Sequence, residues 1–332
     1  GELDLNMWLK SFDEVTENSE IDTEPKAGSL PYSWYATRSF RRWSQEMSEE
    51  MLIAYYYTKN SGAYEKLPRG SEERRFIENN LFRNLADFPL LIPWAYHLST
   101  NLITHINMWA LTGRVIEEPK YIHLAYQYVK SMMEEYTFSR EGIVPESPAY
   151  MSTYLSGLGD PFQIFMGYSD PEGYVDSFSG QHLENITVRS HFKREYDLLE
   201  VGKINYELTK YPDGSVPHVH DTNGNLLLTS PFTNNAGLWS TARDTSESIL
   251  QDGIGMALLG DGEYNQQIQT FLHYSDDKIT HAHNDCLNIL LNAYGRQMLD
   301  DIGYNRSSYR RWQNYSLSHN TLIIDRKNQN AS

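Results

Sequence analysis

Three short stretches near the C-terminal end concentrate residues that bind metals or move protons: His281-Ala-His283-Asn-Asp285, Asp300-Asp301-Ile-Gly-Tyr304 and Ser318-His319-Asn320-Thr321. His281 and His283 are two positions apart, so on a strand both side chains would point to one face. Two imidazoles with a carboxylate and a third imidazole from neighbouring strands suit a divalent metal. The same residues also serve as ordinary polar strand ends. A metallohydrolase would need in addition an open metal position and an adjacent base, for which Asp285 is the candidate. A second group lies earlier, with His97, Asn101 and His105, then Glu146-Ser-Pro-Ala-Tyr150-Met-Ser-Thr-Tyr154. An asparagine amide can bind a carboxylate. A tyrosine can act as acid or base if its pKa, ordinarily about 10, is brought down. Each of these residues equally fits a plain helix position.

The elements that must position these groups fall into two kinds. Apolar residues recur at three- and four-residue spacing in 39–57, 84–112 (interrupted at Pro89 and Pro93) and 121–136, and less regularly in 151–166 and 192–211. This predicts a run of amphipathic helices, and with no alternating strands it suggests helical hairpins packed in an array or toroid. After Tyr211 the character changes. Tyr211-Pro-Asp-Gly214 and Asp221-Thr-Asn-Gly224 are turn signals, and 254–259, 267–274, 286–293 and 321–324 are strand-like. The expected organisation is an N-terminal extension at 1–30, a helical domain at 31–245 and the start of an antiparallel sheet domain at 246–332. A sandwich needs more strands than these, so the full protein is expected to continue beyond Ser332.

Composition narrows the partners. The formal net charge of −16 argues against nucleic acid, which calls for a basic surface. Seven Trp and 24 Tyr suit sugar rings, which stack on aromatic faces, although aromatics also dominate cores. The single cysteine, Cys286, excludes an intrachain disulfide, and no apolar run is long enough to cross a membrane. Gly1 opens no recognisable signal peptide. The sequons at Asn185, Asn305, Asn314 and Asn330 are short enough to arise by chance.

Together these stretches resemble the heparinase II/III-like polysaccharide lyases, a group that includes alginate lyases. The most specific piece is the ordered triple of 281–291 (His-Ala-His-Asn-Asp-Cys-Leu-Asn-Ile-Leu-Leu), Asp301-Ile-Gly-Tyr304 and Ser318-His-Asn-Thr321. Asn79-Asn-Leu-Phe-Arg-Asn-Leu-Ala-Asp-Phe-Pro-Leu90 marks the start of the similarity. The resemblance implies an α+β multidomain fold, an (α/α) toroid of helical hairpins followed by an antiparallel β-sandwich, with the family's cleft between them. It implies a divalent metal, zinc in many members, held by His283, Asp301 and His319. It places Asn101 on the substrate carboxylate, Tyr150 as the catalytic tyrosine and His281 facing the substrate. A further cleft tyrosine falls among Tyr304, Tyr309 and Tyr315. Arg83, His97, Tyr154, Tyr304 and Arg310 are expected substrate contacts, with Arg306 and Arg311 as further candidates for carboxylate or sulfate groups.

The implied reaction is β-elimination on a uronate-containing polysaccharide, a glycosaminoglycan or alginate. The C5 proton leaves, the C4–O bond breaks, and an amide donor stabilises the enolate-like charge. Tyr150 is the expected base and acid, with His281 the alternative base for a uronate of opposite C5 configuration. The metal is expected to brace strands rather than to act on the sugar. Two other readings use the same residues: a uronyl C5-epimerase of related architecture and a non-catalytic glycan-binding protein. The function implies a periplasmic or secreted bacterial protein.

Overall fold

The computed structural model describes residues 43–87, 100–133, 138–212, 214–222, 244–275, 281–304 and 310–329. The helices are α1 (Trp43–Asn60), α2 (Gly70–Ile77), α3 (Thr100–Val115), α4 (Pro119–Ser131), α5 (Pro148–Gly157), α6 (Gly159–Phe165) and α7 (Lys193–Thr209), with shorter helical turns at Asn84–Asp87, Val188–His191 and Arg310–Gln313. The strands β1 (Ile249–Gln251), β2 (Met256–Asp261), β3 (Ile268–His273), β4 (Asn288–Ala293) and β5 (Arg296–Leu299) form one antiparallel sheet in sequence order. The chain is thus mixed helix and antiparallel sheet. A second sheet is not found among the described residues.

Two compact units divide the chain, and the cut differs from the expected boundary at 245. One unit gathers the described residues of Gly1–His97, Asn101–Tyr128 and Gln163–Ile186; the other gathers Leu98–Thr100, Val129–Phe162 and Thr187–Ser332. The second unit therefore holds α5 and α7 together with the whole sheet. The reason lies in the inner face of the sheet, which is tied to α7 by buried amides. Gln251 Nε2 donates to Asn205 O (3.2 Å) and to Thr209 Oγ1 (3.1 Å).

The first unit is helical. Helix α3 is buried on most faces, its polar His105, Asn107 and Thr112 included. Leu102, Ile103, Ile106, Met108, Trp109 and Ala110 are all buried. The one polar atom of Trp109 is satisfied, its Nε1–H reaching Ala86 O at 2.6 Å.

In the second unit two glycines let α7 approach a loop backbone to backbone. A Cβ on Gly202 would stand 2.1 Å from Gly142 O, and Gly142 itself has φ +70°, where a side chain is strained. The sheet register runs His273 opposite Asn288 at the β3–β4 end that leads into the His281–Asp285 segment. Strand β5 follows β4 through a two-residue turn, Tyr294-Gly295, with both φ positive (55° and 69°). That is a hairpin turn of the primed kind, and Tyr-Gly is a weak sequence signal for it compared with Asn-Gly. This explains why β5 escaped the pattern reading, as did the three-residue β1.

One expected strand is absent, and the strand setting weighed for His281 and His283 is not found. His281 and His283 lie in a turn and extended loop ahead of β4, and Leu287 adopts φ 62° just before the strand begins. The 321–324 run is not a strand either. Its Leu322 and Ile324 are exposed, and the chain turns at once through Asp325 and Arg326, both with positive φ.

Candidate functional site

All residues of the candidate site described here belong to the second unit. Ser147 opens α5. Its side chain caps the helix by accepting from Tyr150 N (3.3 Å), and Pro148 occupies the first helical turn, where its missing N–H costs nothing. The cap fixes Tyr150 on the opening turn of the helix, where it is half-buried. Against it lies His281, with ring centroids 4.0 Å apart and an interplanar angle of 16°. Tyr150 and His281 are thus in direct ring contact. His281 has φ 71°, a conformation that costs about 1–3 kcal/mol in a non-glycine residue and is held only by its surroundings. Its carbonyl accepts from Asp221 N at 3.1 Å.

Behind His281 stands Glu146, to which the sequence reading gave no role. Its Oε1 takes a short hydrogen bond from His281 Nδ1. Its Oε2 accepts from Tyr154 OH (2.7 Å), Thr100 N (3.3 Å) and Thr100 Oγ1. Tyr154 is 1% exposed, so it cannot touch a substrate as expected; it holds Glu146 instead. Burial, reinforced by the neighbouring Glu146 charge, pushes the Tyr154 hydroxyl far above its ordinary pKa and keeps it a donor.

A few residues further on lies a buried cluster of histidines and carboxylates. His283 Nε2 pairs with Asp221 Oδ1 (2.9 Å), and His319 Nδ1 pairs with Asp301 Oδ2 (2.7 Å). A carboxylate accepts only, so each ring carries its proton on that side and a lone pair on the other nitrogen. Those other nitrogens, His283 Nδ1 and His319 Nε2, are buried without a hydrogen-bond partner, and so is Asp285 Oδ1. His283, Asp285 and His319 can each offer a ligand atom with all three within 4.8 Å of one another. The donor set, with a carboxylate behind each imidazole, fits a divalent cation.

The expected ligand Asp301 does not join that group. Its Oδ2 is taken by His319 Nδ1 and by Asn288 Nδ2 (2.6 Å), so here it orients a ligand while Asp285 faces the lone pairs. His220, His273 and Asp285 form a second close set. In it, however, His220 Nδ1 already accepts the His283 N–H at 3.1 Å, which occupies its lone pair. That same nitrogen also lies 3.1 Å from Asp285 Oδ1.

Electrostatics follow the burial. Desolvation lowers the His273 pKa to about 4, with His220 adding to the effect, so His273 is neutral near pH 7. Burial works against the Asp285 carboxylate, but the neighbouring imidazoles, His220 foremost, outweigh it and lower its pKa. For His319, burial is outweighed by the hydrogen bond and charge of Asp301, which raise its pKa.

The other expected residues distribute as follows. Asn101 is on the first turn of α3, and its side chain lies outside the described residues, as does that of Arg310 in the Arg310–Gln313 turn. His97, Arg306 and Tyr309 fall outside the described residues altogether. Arg83 belongs to the first unit, where its guanidinium is engaged by Glu118 Oε2 (3.0 Å) and Asn79 Oδ1 (2.8 Å). Tyr304 is half-buried and donates its N–H to Thr222 O (2.8 Å), while Tyr315 is 47% exposed. The sequence alone assigned no role to Glu146 or His220, took Asp221 only as part of a turn signal, and offered Asp285 as a candidate base or a turn residue but not as a metal ligand. The string His218-Val-His220-Asp221 was the available signal.

The architecture and this cluster can now be set beside known proteins. Residues 244–331 match the heparinase II/III-like C-terminal family. The match covers the sheet and the loops that carry His281, His283, Asp285, Asp301 and His319. The chain is also similar in fold to a crystal structure of heparinase III, with a TM-score of 0.60 and 16% identity over 98% of this chain and 51% of that one. Heparan sulfate lyase HepC from Pedobacter heparinus is similar at a TM-score of 0.54 and 13% identity, over 98% of this chain and 50% of that one. The chain therefore spans about half the length of these structures. Among curated proteins none matches significantly.

Proposed function

We propose that this protein is a polysaccharide lyase, a carbon–oxygen lyase that cuts a uronate-containing glycosaminoglycan by β-elimination. The observation that carries the reading is the stack of Tyr150 on His281, two groups able to move protons, held by a helix cap on one side and a buried carboxylate on the other. The heparinase II/III-like match across 244–331 and the fold likeness to heparinase III and to a heparan sulfate lyase support the substrate class, with heparan sulfate favoured over alginate. The wider architecture proposed is an (α/α) toroid followed by a β-sandwich, in a protein acting in the periplasm or outside the cell.

In the proposed reaction a base removes the uronate C5 proton, and the C–H electron pair becomes the C4=C5 double bond. The C4–O bond breaks, and the leaving oxygen takes a proton from the Tyr150 hydroxyl. His281 Nε2 is the base for a proton on its side of the ring, and Tyr150 for the opposite epimer. An amide donor on the substrate carboxylate would stabilise the developing enolate-like charge. His283, Asp285 and His319, oriented by Asp221 and Asp301, would hold a divalent ion, zinc by donor type. Such an ion would brace the loop segments 281–285 and 316–320 and so fix His281.

The test is a panel of heparan sulfate, chondroitin, hyaluronan and alginate, followed by the ultraviolet absorbance of the unsaturated uronate, with and without chelator. Absorbance growing on a glycosaminoglycan supports the proposal. Exchange of the C5 proton with solvent and no absorbance would show an epimerase instead, and binding with neither signal a glycan-binding protein.

A further inference from the structure

We infer that Glu146 is a positioning residue for His281, fixing the imidazole in the tautomer whose lone pair is on Nε2. The inference rests on the lyase reading for its consequence, but its geometry stands alone. Glu146 and His281 are 135 positions apart in the chain and meet through a single bond, Oε1 to Nδ1. The Glu146 side chain is 4% exposed, so its carboxylate cannot turn to water instead. Nor can it rotate freely, because its second oxygen is held by Tyr154 OH, Thr100 N and Thr100 Oγ1. An ionised carboxylate only accepts, so Nδ1 must be the N–H of the ring. A neutral imidazole has one such proton, which leaves Nε2 as the acceptor.

The consequence for the reaction is directional. With its lone pair on Nε2, His281 can take the C5 proton but cannot give one to the leaving oxygen, which falls to Tyr150. When Nε2 gains that proton the ring becomes cationic, and the Glu146 charge faces it across the Nδ1–H bond without taking the proton itself. The stack on Tyr150 sets the plane of the ring, and Glu146 sets its rotation within that plane.

Glu146→Gln removes the charge and offers Nδ1 either an acceptor or a donor, so the tautomer is no longer dictated. The expected result is a fall in kcat of about 10²- to 10⁴-fold, with KM changed less than about threefold and an unaltered circular dichroism spectrum. Wild-type kcat in a folded Glu146→Gln variant would overturn the inference. The second measurement needs no variant of Glu146. Long-range proton–nitrogen spectra of ¹⁵N-histidine-labelled wild type, with the His281 signals assigned by their loss in His281→Ala, should show hydrogen on Nδ1. An Nδ1 without hydrogen overturns the inference even if the Glu146 variant fails to fold. If the wild type turns over no glycosaminoglycan, the lyase reading falls, while the nitrogen spectra still decide the role of Glu146.

Discussion

Both units bury a histidine against an aspartate, and among the described residues only one of them makes a candidate metal centre. In the first unit His123 Nε2 pairs with Asp170 Oδ2 (2.9 Å), and the carboxylate is completed by Leu183 N (2.6 Å) and Tyr168 OH (2.8 Å). One buried atom there, His123 Nδ1, has no hydrogen-bond partner. In the second unit the pairs His283–Asp221 and His319–Asp301 look alike one at a time. Their free nitrogens, however, fall within reach of each other and of Asp285. A paired His and Asp is a structural unit; convergence of several unshared lone pairs is what invites a cation.

The contrast can be tested, beginning with the largest effect. Tyr150→Phe, in the second unit, should lower turnover on the order of 10³-fold while leaving polysaccharide binding largely intact, as read by ultraviolet absorbance and by calorimetry. If turnover persists, the chemistry does not belong to the Tyr150–His281 stack. His319→Ala should remove bound metal and lower stability by about 3–5 kcal/mol, because it leaves the buried Asp301 carboxylate with amide donors alone. Metal analysis and thermal unfolding measure the two together, and metal loss without destabilisation would end the bracing role. Asp285→Asn and Asp301→Asn separate ligand from supporting residue. Zinc titration should show roughly 10–100-fold weaker binding for the Asp301 variant and a larger loss for the Asp285 variant. The reverse order would restore Asp301 as the ligand. The smallest effect belongs to the first unit: His123→Ala should cost about 1–3 kcal/mol and leave metal content unchanged. A change in metal content there would erase the distinction between the two pairs.

Helices α1, α3, α4 and α7 were legible because one apolar face must be buried at every turn, and that spacing is written in the chain. The same holds for β2, β3 and β4, whose alternation survives in their burial. The short β1 and β5 were not legible, since three or four residues carry too little alternation and the Tyr294-Gly295 turn lacks the usual residues. Within the site, Tyr150, His281, His283 and His319 stood out by type and order. Glu146 did not, because a glutamate ahead of Ser147-Pro148 reads as a helix-start residue.

The amino-acid order by itself determined which side chains are available: a capped helix start that carries Tyr150, a His-x-His-x-Asp run and a later histidine. Only the tertiary structure decided their partners. It set Glu146 against His281, Asp221 against His283, and Asp285 rather than Asp301 among the lone pairs. The physical reason is that a hydrogen bond or a ligand lone pair depends on direction over a few ångströms. Local spacing fixes direction along one element, whereas these groups come from segments as far as 135 positions apart in the chain.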